Sequence, residues 1–361
     1  MLTADGCRQR RQRFWQRLDP RPEGDHLRLA DPLHLAYLAG FTVDPISLNA
    51  GFGAVLIVRE DGHARLLHDD RLKANAAAAH VDERVVAPWY DGQTPGKGAR
   101  QLALVGSANP SGGMRFHDRP GDPYAATVVG TLARMRRQKD ADEIDLLKRC
   151  MRATEAGHAW GRANARAGMT ELDVYSGIVT ACNKAAGRAV VVYGDFAVSP
   201  GPERRGGPAT ERVLADGDLM ILDFSVVIDG YRSDFTNTLV IGGKPTPAQQ
   251  RLYDLCTQAM AAGEKVLRAG AACQTVYDAV RSVLETDGET FPHHAGHGLG
   301  LTHPEAPFLV RHSEETLLEG DVVTLEPGIY LAGTGGIRIE HNYLVTAAGY
   351  ERLSNHEIAL A

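Results

Sequence analysis

Cysteine is scarce in this chain. Cys7, Cys150, Cys182, Cys256 and Cys273 are odd in number, widely scattered and never in CxxC spacing. That argues for reduced thiols in a cytoplasm rather than a disulfide framework or a zinc ribbon. Long apolar runs are missing as well, none approaching the roughly 20 residues of a membrane-spanning helix. A basic surplus is also absent. The net charge of -6 gives no electrostatic reason to expect nucleic acid or an anionic membrane surface as a partner. The N-terminus, MLTADGCRQRRQRFWQRL, is rich in arginine but lacks the apolar segment and small-residue cleavage site of a secretory signal. It reads as a solvated first helix with Phe14, Trp15 and Leu18 turned inward.

What is present is a soluble globular composition, 43% hydrophobic and 23% charged, over 361 residues, enough for two domains. The first third alternates strands (GAVLIVRE from Gly53, HARLLH, QLALVG from Gln101 to Gly106) with helical segments such as RLKANAAAAH, an α/β layer pattern. A charged stretch, RMRRQKDADE, reads as a solvated start to a long amphipathic helix with Ile144, Leu147, Met151 and Thr154 on one face. The domain boundary is placed just before it, giving 1–135 and 136–361. In the second domain ELDVYSGIVTACNKAAG and TPAQQRLYDLCTQAMAAGEKVLRAG are helices. The latter has Thr246 as N-cap and Pro247 at its first position, and is expected to end at Gly270. Strands at DVVTLEP and GIRIEHNYLVT complete an α+β layout.

Within ILDFSVVIDGYRSDFTNTLVIG, two apolar strands flank an Asp-Gly turn and each carries one acid, Asp223 and Asp234. With the turn centred on Ile228 and Asp229 the two are directly opposed. With the turn one residue later they are diagonal neighbours on one face. Either register makes the carboxylates converge, and two bare carboxylates so close repel unless one is protonated or a cation intervenes. Three further candidates follow: His297 between glycines in HHAGHGLG, Glu326 before the Pro-Gly break of VTLEPGIY, and Glu340 in mid-strand in GIRIEHNYLV. Two Asp, two Glu and one His carry four negative charges, which two divalent cations balance. A carboxylate-rich set favours hard ions such as manganese, while the imidazole also admits cobalt, iron or zinc.

The ordered set LDFSVVIDGYRSDFTNT, HHAGHGLGL, LEPGIY and GGIRIEHNYLV closely resembles the pita-bread metallopeptidases, the family of aminopeptidase P, prolidase, methionine aminopeptidase and the non-peptidase creatinase, over about residues 138–361. DPLHLAYLAGF resembles the segment that opens the creatinase/prolidase N-terminal domain. The resemblance implies a creatinase-like α/β domain followed by a pita-bread catalytic domain. It implies hydrolysis of an Xaa-Pro bond through a hydroxide bridging two metal ions. Asp223, Asp234 and Glu340 would bind both metals or the first, with His297 and Glu326 completing the second. Glu326 would also be the general base, Arg338 would orient Glu340 or a substrate group, and His293 would lie near the substrate. The implied protein is a cytoplasmic homodimer acting on small peptides.

Three positions depart from the family pattern. A histidine is usual seven positions after His297, where Pro304 stands and His303 comes one residue early; Glu305 and Pro307 keep the following HE-x-P spacing. Upstream of LADGD, Gly206 and Gly207 occupy the place of a histidine-containing element, and Asn237 replaces a common arginine. These changes leave two alternatives: hydrolysis of a small non-peptide amide or amidine at the same metals, or a catalytically weak scaffold.

Overall fold

The computed structural model of the chain describes residues 1–43, 53–88, 93, 115–199, 206–285 and 290–361; the strand expected at Gln101–Gly106 lies outside them. Its contacts divide it into two compact units, Met1–Arg136 and Arg137–Ala361.

The first unit opens with α1 (Ala4–Arg17), whose N-cap Thr3 accepts from Gly6 N at 3.0 Å. Phe14, Trp15 and Leu18 are buried, as their spacing predicts, but α1 is not simply solvated on its other faces. Arg10 and Arg11 are buried as well. Arg10 donates to Tyr37 O (3.0 Å), and Arg11 donates to Gly62 O (2.7 Å) and to Leu38 O and His80 O (both 2.9 Å). Guanidinium groups buried this way stay charged because carbonyl oxygens satisfy their fixed fork of donors. Strands β1 (His26–Leu29), β2 (Ala54–Arg59), β3 (Ala64–Asp69) and β4 (Glu83–Ala87) form one sheet in that order. The helices are α2 (Pro32–Ala39), α3 (Lys73–Ala78) and α4 (Ala125–Arg137). The first two strand pairs are antiparallel; β3 and β4, joined through α3, are parallel.

In the second unit α5 (Ala141–Asn164) and α6 (Glu171–Ala186) precede β5 (Val191–Ser199), β6 (Leu219–Ile228), β7 (Tyr231–Arg232) and β8 (Phe235–Val240). Leu147, Met151 and Thr154 of α5 are buried and Ile144 is half-buried. Gly157 and Gly161 bring α5 close to its neighbours: a Cβ on Gly157 would meet Cys182 Sγ at 2.7 Å, and one on Gly161 would meet Leu222 Cδ1 at 2.8 Å. The charged stretch before α5 is not just a solvated start. Arg137 pairs with Asp321 (2.6 Å), Lys139 with Glu305 (2.9 Å), and Glu143 accepts from Tyr231 OH (2.8 Å). Lys139 and Glu143 are buried and Arg137 half-buried, held by partners distant in the sequence, whereas Arg134 is exposed.

Helices α7 (Pro247–Val266) and α8 (Cys273–Leu284) pack on the remaining strands. These are β9 (Gly296–Gly298), β10 (Glu305–Leu309), β11 (Val322–Leu325), β12 (Gly328–Leu331), β13 (Gly335–Arg338), β14 (His341–Val345) and β15 (Tyr350–Arg352). The caps of α7 follow the sequence, but the helix stops at Val266, four residues before Gly270, whose positive φ of 84° serves the turn beyond. One sheet runs β10-β9-β11-β14-β15, and β12-β13 form a separate hairpin. Leu252, Cys256, Val276, Val280, Leu325, Ile337 and Tyr343 belong to the shared apolar core, each large aliphatic chain contributing about 1.5–3 kcal/mol on burial.

Candidate metal centre

The β6–β8 register pairs Asp223 with Thr236 and Phe224 with Phe235, so Asp223 and Asp234 are diagonal neighbours. The turn lies at Asp229 and Gly230, with φ of 50° and 85°, the left-handed pair that an Asp-Gly two-residue hairpin loop adopts. Asp234 sits between β7 and β8, and Ser225 donates to its Oδ1 at 3.3 Å. Its backbone is gripped on both sides by the amide of Asn342.

Glu340 is not in mid-strand; it occupies the break between β13 and β14. There its N–H donates to Thr236 O (3.0 Å) while Thr236 Oγ1 donates to Glu340 Oε2 (2.7 Å). A second threonine links the other two candidates: His297 N donates to Thr324 Oγ1, which donates to Glu326 Oε1, each at 3.1 Å. The glycines around His297 answer to backbone crowding rather than to space for the imidazole. A Cβ on Gly296 would lie 2.0 Å from Thr324 O, and one on Gly298 would lie 2.1 Å from Ala306 O.

Three overlapping triads result, each with candidate ligand atoms within 4.8 Å of one another: Asp223, Asp234 and Glu340; His294, His297 and Glu326; Asp234, His297 and His303. The electrostatics are those of too many acids in one place. Burial pushes the Glu340 carboxyl well above the ordinary range, and Asp234, Glu326 and Asp223 push it further. Burial likewise raises Asp223 to about 6, with Arg338 opposing and the other acids reinforcing. Glu326 goes the other way, held low against burial by its hydrogen bond from His294 and by the nearby His297 and His293.

The donor set fits cations. Glu340 Oε1 is buried and has no hydrogen-bond partner among the described residues. His297 donates from Nδ1 to Gly298 O at 2.9 Å, which turns its Nε2 toward Asp234 Oδ2 and Glu326 Oε1 at 3.6 and 3.5 Å. A lone pair facing two carboxylate oxygens at those distances is a coordination site in shape and polarity.

Arg338 reaches Asp223 rather than Glu340. Its Nε and NH2 donate to Asp223 Oδ2 (2.9 and 2.5 Å), NH2 also to Asp195 Oδ2 (2.7 Å), and NH1 to Tyr330 OH (2.8 Å). Residues two apart on a regular strand share a face, but β13 ends at Arg338, and Glu340 beyond it bonds to Thr236 instead. His293 ends this chain of bonds: its Nδ1 donates to His294 O (2.8 Å), leaving Nε2 to accept from Tyr330 OH (3.2 Å). Burial lowers His293 to about 4 and raises Tyr330 to about 12, so the neutral forms required by that geometry persist. Asp195 stands directly opposite Asp223 across β5 and β6. The carboxylate also accepts from Gly207 N at 2.7 Å, and a Cβ on Gly206 would sit 1.9 Å from its Oδ2. Where the family pattern has an imidazole, this chain leaves room for an acid.

His303, despite its one-residue offset, puts Nε2 2.6 Å from Asp234 Oδ2. Against the downward pull of burial, that contact holds its imidazole above the ordinary value. Asn237 points to the other face of β8, exchanging hydrogen bonds with the backbone of Ala359 (2.9 and 3.2 Å).

Residues 145–347, more than half the chain, match the metallopeptidase family M24. The chain belongs to that family. An uncharacterized peptidase of Staphylococcus aureus (strain USA300) is 30% identical over 234 residues, which are 63% of this chain and 65% of that protein. The match thus spans less than two thirds of the curated relative. The Xaa-Pro dipeptidase from Bacillus anthracis superposes with a TM-score of 0.78 over 99% of both chains at 24% identity. Dipeptidase PepE from Mycobacterium ulcerans gives 0.76 over 99% of this chain and 98% of that one at 25% identity. The fold is therefore that of the pita-bread peptidases.

Three polar residues of this M24 metallopeptidase's site escape a reading of the sequence. His294 lies 3.0 Å from Glu326, and only its place in HHAGH hinted at it. Asp195 carries the same signal as Asp223, an acid inside an apolar strand, and could have been found that way. Tyr330 carries none, because a tyrosine in a strand is ordinary core.

Proposed function

We propose that this M24 metallopeptidase is an Xaa-Pro hydrolase that works with two divalent cations held by Asp223, Asp234, His297, Glu326 and Glu340. The observation that carries the reading is the convergence of those five side chains in overlapping triads around a Glu340 oxygen that has no hydrogen-bond partner among the described residues. Xaa-Pro specificity is supported by the structural neighbours described as Xaa-Pro dipeptidase and prolidase. Manganese suits a set with four carboxylates, with cobalt, zinc or iron as alternatives. Residues 1–135 are read as the creatinase-like domain and 136–361 as the catalytic one. A cytoplasmic homodimer completes the proposal, and five buried cysteines, none in a disulfide among the described residues, suit a reducing compartment.

When bound, such a cation pair supplies Lewis acidity to the scissile carbonyl and to an attacking water. The side chains do the rest. Glu326, kept ionised by His294, accepts a proton from the nucleophile and passes it to the leaving proline nitrogen. His303, above its ordinary pKa beside Asp234, can donate to charge developing on the carbonyl oxygen. Arg338, fixed by two carboxylates, holds Asp223 in place, and through Tyr330 it orients His293 toward the substrate.

The test is turnover of Xaa-Pro dipeptides and tripeptides by chelator-stripped protein reloaded with manganese, cobalt, zinc or iron. Metal-dependent release of the first residue, abolished by Asp234→Ala, is expected. Failure to cleave any Xaa-Pro peptide with any of these metals overturns the reading.

A further inference from the structure

Beyond His303, the wall of the site carries a cation for which this chemistry has no use. Arg232 closes β7 two residues before Asp234. Its backbone N–H donates to Gly300 O (3.1 Å) and its NH2 to Leu301 O (3.3 Å), two residues before His303. NH1 donates to the hydroxyl of Tyr193 at 2.5 Å, and the guanidinium carbon lies 5.6 Å from the centroid of that ring. Tyr193 in turn meets His303 edge-on at 6.4 Å.

The partners of Arg232 are all neutral. Among the described residues it has no carboxylate within ion-pair distance, and its Nε is buried without a hydrogen-bond acceptor. Arg338 stands in contrast, neutralised by Asp195 and Asp223. A guanidinium keeps its charge at any working pH and presents five donors in a planar fork shaped for a carboxylate. Leaving one half-buried among neutral groups, with a donor unused, is costly unless an anion arrives to complete it.

We infer that Arg232, assisted by the Tyr193 hydroxyl, is a specificity-determining residue that receives a carboxylate of the substrate. The inference rests on the proposed reading, since it supposes that substrate is cleaved beside Asp234 and His303. In an Xaa-Pro dipeptide the free carboxylate lies one residue, about 3.5 Å of chain, beyond the scissile bond. In a longer peptide the same place holds an uncharged amide. Arg232 therefore selects dipeptides over extended peptides, which decides between a dipeptidase and an aminopeptidase.

The test pairs each dipeptide with its C-terminal amide: Ala-Pro with Ala-Pro-NH2, and Ala-Ala with Ala-Ala-NH2. For the manganese-loaded wild type, kcat/KM for the better-cleaved acid is expected to exceed that for its amide by roughly 10–100-fold, the worth of a charge-assisted hydrogen bond. Arg232→Gln collapses that ratio toward one, and Arg232→Lys retains part of it. Calorimetric affinities of the metal-free protein for the same pairs give a second readout. Equal handling of acid and amide by the wild type overturns the inference. So does Arg232→Gln lowering both equally, the signature of a strut that merely braces Gly300 and Leu301. If no Xaa-Pro pair is cleaved, the functional reading falls, and the acid-to-amide ratio in affinity still decides for or against Arg232.

Discussion

His297 presents Nε2 to Asp234 Oδ2 across 3.6 Å because its Nδ1–H is committed to the Gly298 carbonyl at 2.9 Å. The backbone thus selects the tautomer that coordinates, and the carboxylate supplies the charge. Asp234→Asn keeps the shape and removes the charge. Its affinity for manganese, measured by calorimetry, is expected to fall by more than the roughly 10–100-fold that follows loss of an outer-shell partner. Metal binding equal to wild type would remove Asp234 from the ligand set.

The acids also predict a proton count. In metal-free protein Glu340 is held well above the ordinary carboxyl range and Asp223 is raised to about 6, so at pH 6 the cluster retains protons that metal ligands must lose. Titrating manganese into chelator-stripped protein at pH 6, in buffers of different ionisation enthalpy, is expected to show release of about one proton or more. Glu340→Gln reduces that number. An enthalpy independent of buffer contradicts the picture of a crowded, partly protonated cluster.

Asp195 and Gly206 form a pair whose coupling is measurable. Gly206→Ala drives a methyl against a carboxylate tied to Gly207 N and Arg338, with the added Cβ only 1.9 Å from Oδ2. The expected cost is about 1–3 kcal/mol of stability, as for other overpacked sites, together with lower turnover as Arg338 loses its second carboxylate. Asp195→Ala removes the obstacle, so the double variant should be less destabilised than the two single effects added together. Strict additivity in chemical denaturation would show that the two positions do not meet.

How far the sequence reveals this molecule depends on the range of each interaction. The hairpin around Asp229–Gly230, the N-cap of α7 and the inward face of α5 are local, and periodicity or turn chemistry exposes them. The five candidates stand out in the sequence because each is a polar group in apolar or glycine-punctuated surroundings, although only Asp223 proves to be an acid within a strand, with Asp234, Glu326 and Glu340 at strand breaks. Lys139 with Glu305, Arg11 with the Leu38 carbonyl, and Arg338 with Asp195 were not legible. A charged residue whose partner lies tens of positions or more away is indistinguishable in sequence from one facing water. The expectation that Arg338 orients Glu340 or a substrate group has the same origin: its neighbour in the chain is visible in sequence, and Asp223 across the sheet is not.

Lys139 and Glu305 make that point testable. The pair is buried at 2.9 Å, and Glu305 also accepts from Thr302 Oγ1 at 2.9 Å, in the segment that carries His303. Lys139→Met leaves a buried carboxylate without its cation, with an expected loss of about 3–5 kcal/mol. Adding Glu305→Gln should recover much of it, because the charge that lacked a partner is gone. A single variant as stable as wild type in urea would mean that Glu305 is solvated or protonated at no cost.

A cluster of histidines behind β8 is expected to make the fold less stable in acid. His158 stacks on Phe224 and Phe235 at 4.6 and 5.2 Å and lies 4.8 Å from His356. His158 and His356 donate from Nε2 to Phe235 O and Thr236 O, both at 3.1 Å. Burial holds His158 well below its ordinary value, lowers His341 to about 2 and lowers His356 to about 4. A folded chain that refuses protons which the unfolded chain accepts near pH 6.5 is fully stabilised above that pH. It loses stability as pH falls toward the lowered values, at up to about 1.4 kcal/mol per pH unit for each histidine. Asp223 and Glu340, raised rather than lowered, act in the opposite sense, so the histidine contribution must be isolated. Gln at position 356 keeps a donor for the Thr236 carbonyl but does not titrate. Between pH 6.5 and 5 the unfolding free energy of wild type should therefore fall more steeply than that of His356→Gln. Parallel curves would mean that His356 takes up its proton as readily folded as unfolded.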